Sequence, residues 1–372
     1  MRTIQCGRAG VLAGVLGACL LVTGAARADV TTERPGSILI FPKVVSGGGR
    51  TTIIQIANTG NMLNTARCFY LNATPAESGQ PVCTETDFEI ALTRQQPTHF
   101  DVSTGRTMSA PLSNGIGNAG LFPGLIPPVA PGFVGALICV EVDTSDAPLA
   151  QDQLKGEATI VGPGADESKY NAIAVQGATT GTAGDNDLSL DNSEYNACPA
   201  TNIANIIPAG ATDPIITDEI GNSGVCTNSA IPCRVSTDCP SFPTQTCTTG
   251  LSRVATALSL VPCSLDLDSG IPTTVTVNVV AFDEFERRAS AGFTFSCVGN
   301  IDLSTVLDSL SFGATPASFA QVQLTAAPGS SPFVGVAEAT HVDSIGNAAA
   351  AATNLHVLGT GPDSLIRLPA AQ

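Results

Sequence analysis

Thr274-Val275-Thr276-Val277-Asn278-Val279 alternates a hydroxyl or amide side chain with valine at every step. A strand points successive side chains to opposite faces, so this run sets its valines on one face and its polar groups on the other, as a half-buried β-strand requires. Phe293, Phe295 and Cys297 carry the same period further on and mark its partner. Working outward, Thr52, Ile54 and Ile56 alternate with Ile53, Gln55 and Ala57, and Asn58-Thr59-Gly60-Asn61 supplies the turn before a further strand over residues 66–72. The apolar run at residues 38–45 predicts a strand that lies at an edge or bends, because Pro42 has no N–H for a ladder. Strands are also expected at residues 87–93, 133–143, 156–161, 171–176, 319–324, 333–342 and 354–358. Only residues 301–310 carry a helical pattern. The fold class is all-β.

The two halves of the chain echo each other. Phe133-Val134-Gly135, ending in Val142-Asp143, matches Phe333-Val334-Gly335, ending in Val342-Asp343. Upstream, Leu39-Ile40-Phe41-Pro42 corresponds in order to Ser259-Leu260-Val261-Pro262. Downstream, Val175-Gln176-Gly177 corresponds to Val357-Leu358-Gly359. Two tandem β-sandwich domains of immunoglobulin-like kind are therefore expected, over residues 29–200 and 251–372.

Between them, residues 201–250 hold Cys226, Cys233, Cys239 and Cys247 in a Ser, Thr and Pro-rich setting. That segment has too few apolar residues for a core, so it reads as an insertion stapled by disulfides. Two further stretches interrupt the strand pattern: the Gly/Pro-rich residues 104–132, expected as a packed loop, and the small, acidic residues 177–192.

The first residues resemble an export signal. Arg2 and Arg8 precede an apolar run, and Ala26-Arg27-Ala28 offers a small-residue cleavage site, so residues 1–28 are expected to be a signal peptide. Leu16-Gly17-Ala18-Cys19 is an alternative lipobox, with Cys19 as the acylated residue. Either way the protein is expected outside the cytoplasm, in the periplasm, at the cell surface or in the medium. Its cysteines are then disulfide candidates. Of 12 cysteines, Cys6 and Cys19 lie in the leader, and Cys68, Cys83, Cys139, Cys198, Cys226, Cys233, Cys239, Cys247, Cys263 and Cys297 remain, an even set whose pairing the sequence leaves open. No later run has the length and apolarity of a membrane-spanning helix.

Charge excludes some partners. The chain has 16 basic against 32 acidic residues, a net −16, and three of the basic ones, Arg2, Arg8 and Arg27, lie in the leader. Such a chain repels nucleic acid and anionic membrane surfaces. It holds no Trp and 3 Tyr, which argues against a carbohydrate site, because flat rings cover the apolar faces of sugars.

No catalytic motif emerges. The histidines are His99, His341 and His356, and no metal-ligand pair, nucleophile elbow or phosphate-binding Gly-rich loop is present. His341, Asp343 and Ser344 lie close in sequence but on a strand, where neighbours face opposite ways. Because His341 takes the place of Glu141 in the echo, a strand-surface position is expected. Asp283, Glu284 and Glu286 beside Arg287 and Arg288 are expected to form a salt-bridged turn at the end of a hairpin, although a carboxylate pair is what a glycosidase needs. The remaining ligand candidate is Ca²⁺. Asp185, Asp187, Ser189 and Asp191 alternate and are followed by Glu194, but Leu190 stands where an EF-hand needs glycine.

Phe41-Pro42-Lys43, Gln95-Gln96-Pro97, Pro131-Gly132-Phe133-Val134-Gly135 and Phe285-Glu286-Arg287-Arg288 together resemble a family of exported bacterial proteins of uncharacterised activity. The segment with Val235, Asp238-Cys239-Pro240 and Cys247 is similar to Cys-rich inserts of secreted proteobacterial proteins. The resemblance implies location and lends no chemistry. The expected function is that of a secreted or cell-surface, non-enzymatic structural or adhesive protein that presents loops or sheet edges to a protein partner or to itself. A Ca²⁺-linked or small-ligand binding module is the alternative, ahead of a secreted hydrolase.

Overall fold

A computed structural model describes residues 30–75, 83–106, 125–164, 166–178, 181–182, 185–207, 224–226, 232–233, 239–241, 243–245, 247–248, 253–307, 319–342 and 348–370. The expected signal peptide with Cys19, most of the Gly/Pro-rich loop, Asp343 and Ser344, and much of the Cys-rich segment lie outside the described residues. What is described is nearly all β, in several antiparallel sheets.

Strand β1 (Ile38–Gly47) is buried from Ile38 through Ser46. A run without polar alternation needs cover on both faces, and β1 has it. It pairs antiparallel with β6 (Phe133–Val142), and the register shifts between Phe41 and Val44, so the bend expected at Pro42 is present. β6 pairs in turn with β3 (Asn64–Asn72), and β3 with β4 (Thr84–Leu92) at the sheet edge. On its other side β1 meets β10 (Ile173–Val175) and turns into β2 (Arg50–Asn58). β2 lies between β5 (Pro97–Asp101) and β8 (Leu154–Val161), and β8 pairs with β9 (Glu167–Asn171).

The two faces of β1, β3 and β6 feed different cores. Leu39, Phe41, Cys68, Tyr70, Leu137 and Cys139 pack with Ile54, Ile56, Ala158 and Ile160. Ile38, Ile40, Phe69, Leu71, Ile138 and Val140 pack with Leu188, Tyr195 and Ile366. Several residues of that second core come from a three-stranded sheet of β12 (Asp187–Leu190), β26 (Ser364–Arg367) and β18 (Leu265–Asp266), with β26 in the middle.

A third core joins two C-terminal sheets. One has the order β21 (Gly299–Asp302), β17 (Arg253–Pro262), β23 (Phe333–Val342) and β24 (Ala348–Asn354). The other runs β20 (Arg288–Ser296), β19 (Thr274–Asp283), β22 (Ala320–Ala326), β13 (Pro199–Ile206) and β25 (His356–Thr360). Val275, Val277 and Val279 on β19 are buried and Thr274, Thr276 and Asn278 exposed, as their alternation requires. Short pairs complete the set: β7 (Leu149–Ala150) with β11 (Gly181–Thr182), and β14 (Gly224–Cys226) with β15 (Pro232–Cys233) and β16 (Cys247–Thr248). Of the helical pattern at residues 301–310, the described part, residues 301–307, holds one turn, α1 (Leu303–Val306), while Ile301 and Asp302 are taken into the ladder with Leu258 and Ala257.

The echo of the halves extends to pairing. β1 pairs with β6 as β17 pairs with β23. Each Phe-Val-Gly opens its strand, with Phe133 and Phe333 buried in the first and third cores. A side chain at Gly135 would collide with the Leu71 carbonyl, and one at Gly335 with the Ser259 carbonyl at 2.5 Å. The correspondence stops downstream: β10 pairs with β1, whereas β25 pairs with β13.

Candidate functional site

A tight cluster of charge lies between segments far apart in sequence. Lys43 sits at the bend of β1, Arg50 opens β2, Asp166 and Ser168 lie at the start of β9, and Glu338 projects from β23. Glu338 is 3% exposed. It accepts hydrogen bonds from Arg50 Nη1 and Nη2 at 3.2 and 2.6 Å and from Ser168 Oγ at 2.9 Å, and it pairs with Lys43 Nζ at 2.9 Å. Arg50 also pairs with Asp166 at 2.9 Å. Tyr170 Oη donates to the Lys43 carbonyl and accepts from its N–H, holding the bend in place. Burial works to raise the Glu338 carboxyl, but the hydrogen bond from Arg50 and the charge of Lys43 overcome it and hold the group at about 2. Two cations face two carboxylates, so the cluster is internally neutral and its donors are turned inward. This is the chemistry of a structural clasp. Sequence reasoning missed it, since its members are scattered along the chain. The signal available was an isolated Lys43 inside an apolar run.

A second buried carboxylate, Glu141 on β6, is 0% exposed and accepts from Asn64 Nδ2 at 2.7 Å and from the backbone N–H groups of Gln151 and Gln153. Burial pushes its carboxyl up. His341, its counterpart in the echo, is 7% exposed. The strand-surface position expected for it is thus corrected: the face of β23 that carries it is covered in the folded chain.

The acidic stretch is divided among local roles. Asp187 lies on β12 and pairs with Arg367 of β26 at 2.8 Å. Asp185 accepts from the Asp187 N–H, Asp191 from the N–H and hydroxyl of Ser193, and Glu194 from the Ser189 N–H. Among the described residues no group of three or more His, Cys, Asp or Glu side chains is gathered as metal ligands.

The β19–β20 hairpin closes through the expected salt-bridged turn. Asp283 Oδ1 accepts from the N–H groups of Phe285 and Arg287, and Arg287 Nε pairs with Asp283 Oδ2. Glu286 takes a left-handed conformation, φ 61°. Around this turn Phe282, Phe285 and Phe319 are all exposed, and the Arg287 guanidinium lies over the Phe285 ring at 5.1 Å.

Sheet edges differ in how they are protected. β4 carries Glu85, Asp87 and Glu89 in alternation, and such charge discourages pairing with a foreign strand. β25, the last strand of the five-stranded sheet, is exposed at all five positions. It has no acidic or lysine residue, shows Val357 and Leu358 to solvent, and among the described residues pairs only with β13. A groove lined by Thr31, Thr32, Glu33, Asn171 and residues 353–357 runs beside it.

Cys68 joins Cys139 across directly opposed positions of β3 and β6, and Cys198 joins Cys263. Cys239 is also disulfide-bonded. Cys83 and Cys297 are thiols. Bridges of this kind fit an oxidising, extracellular-type compartment. Among the described residues no helix is long and apolar enough to cross a membrane.

No protein-family profile matches the chain, and no curated protein does. Among solved structures, the crystal structure of Thermotoga maritima 1070 is 10% identical, covering 38% of this chain and 95% of that one at a TM-score of 0.24. The apo form of Pleurotus ostreatus lectin is 10% identical, covering 89% and 79% at a TM-score of 0.16. Likeness at those scores carries no argument about fold or function.

Proposed function

We propose that the chain is a secreted or cell-surface, non-enzymatic structural β protein with a stapled insertion that works by offering a sheet edge to a protein partner. The observation that supports this is β25: an outer strand, exposed throughout, apolar at Val357 and Leu358 and without the acidic guard that β4 carries. An unguarded edge presents unpaired N–H and C=O groups, and a strand laid along it gains main-chain hydrogen bonds together with apolar contact. A second copy of the same chain is the simplest partner.

The test is the native size of the purified protein without reducing agent, for the wild type and for Leu358→Lys. An assembly larger than one chain of 37.7 kDa that Leu358→Lys returns to monomer supports the proposal. A wild type that runs as a monomer at every concentration, or an assembly indifferent to Leu358→Lys, overturns self-association through β25.

A further inference from the structure

Cys83 stands immediately before β4 and Cys297 immediately after β20, at the ends of two sheets from opposite halves of the chain. The Cys83 N–H donates to the Asn72 carbonyl at 2.8 Å, and the Cys297 Sγ lies 4.0 Å from the same oxygen. Both cysteines line one small cavity with Leu71, Leu265 and Leu267. Each residue also takes a left-handed backbone conformation, φ 52° and 65°. That region is uncommon for a residue with a Cβ, and it persists only where the surroundings hold it. Two cysteines that meet at one carbonyl, line one cavity and both adopt this conformation form a prepared pair.

We propose that Cys83 and Cys297 close as a further disulfide once the chain is folded, clasping the β3–β4 edge of the first sheet to the end of the β19–β20 hairpin. The oxidant is an exchangeable disulfide, either a small molecule such as oxidised glutathione or an oxidoreductase. The Cys83 thiolate attacks one sulfur of that disulfide, forming a mixed disulfide and expelling one thiolate. The Cys297 thiolate then attacks the Cys83 sulfur and expels the second. Two electrons pass from the protein sulfurs to the external disulfide, and the two protons end on the two released thiols.

The order of attack follows from the surroundings. Cys83 is half-buried and Cys297 buried, so the incoming disulfide meets Cys83 first. Burial pushes both thiols up. The neighbouring thiol works against that rise at Cys83 and adds to it at Cys297, so Cys83 is the easier of the two to ionise. By contrast Cys68, Cys139, Cys198 and Cys263 are all 0% exposed. A mild reductant is therefore expected to open the Cys83–Cys297 bond before Cys68–Cys139 and Cys198–Cys263.

The experiment incubates the full folded chain in a glutathione redox buffer, blocks remaining thiols with iodoacetamide and maps disulfide-linked peptides without reduction. The expected result is a Cys83–Cys297 peptide two hydrogens lighter than its reduced halves. Its loss on graded reduction should precede loss of the Cys68–Cys139 and Cys198–Cys263 peptides, with a fall in melting temperature of roughly 5 °C. Native protein in which both residues stay alkylated after oxidation overturns the proposal, as does linkage of either to another cysteine. Mapping the wild type makes the outcome independent of whether Cys83→Ala folds.

Discussion

Glu338 shows how much one side chain can hold when it is buried among the right partners. Replacing it by Gln keeps the shape and removes the charge, leaving Lys43 and Arg50 buried with Asp166 alone. An uncompensated buried charge of this kind costs about 3–5 kcal/mol, so urea unfolding of Glu338→Gln at neutral pH is expected to show a loss of that size. The acid limb carries a second signature. The carboxyl sits at about 2 in the folded protein against an ordinary value of 4.5, so its contribution is complete above 4.5 and is lost as pH falls toward 2. The difference between wild type and Glu338→Gln should therefore shrink across that window. Glycine speaks at the same scale. Gly335→Ala would set a Cβ 2.5 Å from the Ser259 carbonyl, at an expected cost of about 1–3 kcal/mol, and thermal melts should show Gly135→Ala, which meets the Leu71 carbonyl more closely, as the worse of the two. The repeated Phe-Val-Gly was visible in the sequence. The close approach of a neighbouring strand, which demands the glycine, was not, because it depends on which strand lies alongside.

At the scale of elements, most strands were legible because their cause is local. The alternation of Val275, Val277 and Val279 reports a half-buried face without any knowledge of neighbours. The continuous run of β1 was legible as a strand and its Pro42 as a bend, but its central place was not, since a run buried on both faces looks the same in many topologies. Pairing partners were the least legible part. The order that places β13 between β22 and β25 is decided by contacts between residues more than a hundred positions apart. The same limit hid the Lys43, Arg50, Asp166 and Glu338 cluster, whose members carry no spacing that announces them. Sheet edges were expected only in general, and nothing in the sequence singled out β25.

The whole molecule is stitched across its length. Asn354 Nδ2 donates to the Asn171 carbonyl at 2.7 Å while its Oδ1 accepts the Asn171 N–H at 3.1 Å, so one side-chain amide joins β9 to β24, the edge strands of two different sheets. Arg67 Nη1 donates to the Pro369 carbonyl at 2.9 Å, and β12 pairs with β26. Cutting such a molecule by sequence order separates strands that belong together. A fragment beginning at residue 251 lacks β13 and half of the Cys198–Cys263 bridge, so it is expected to unfold without a cooperative transition, and a denaturant titration followed by far-ultraviolet circular dichroism would show this. A sharp transition would mean that β22 and β25 find each other without their shared neighbour.

The position of β26 sets a timetable as well as a geometry. This four-residue strand lies in the middle of its sheet, and Ile366 and Leu368 share a core with Val30, more than three hundred residues earlier. A nascent chain emerging from the ribosome cannot close that core until residue 368 has been made. Until then this core stays open, in a state that a chaperone can still grip, and it locks only when β26 arrives.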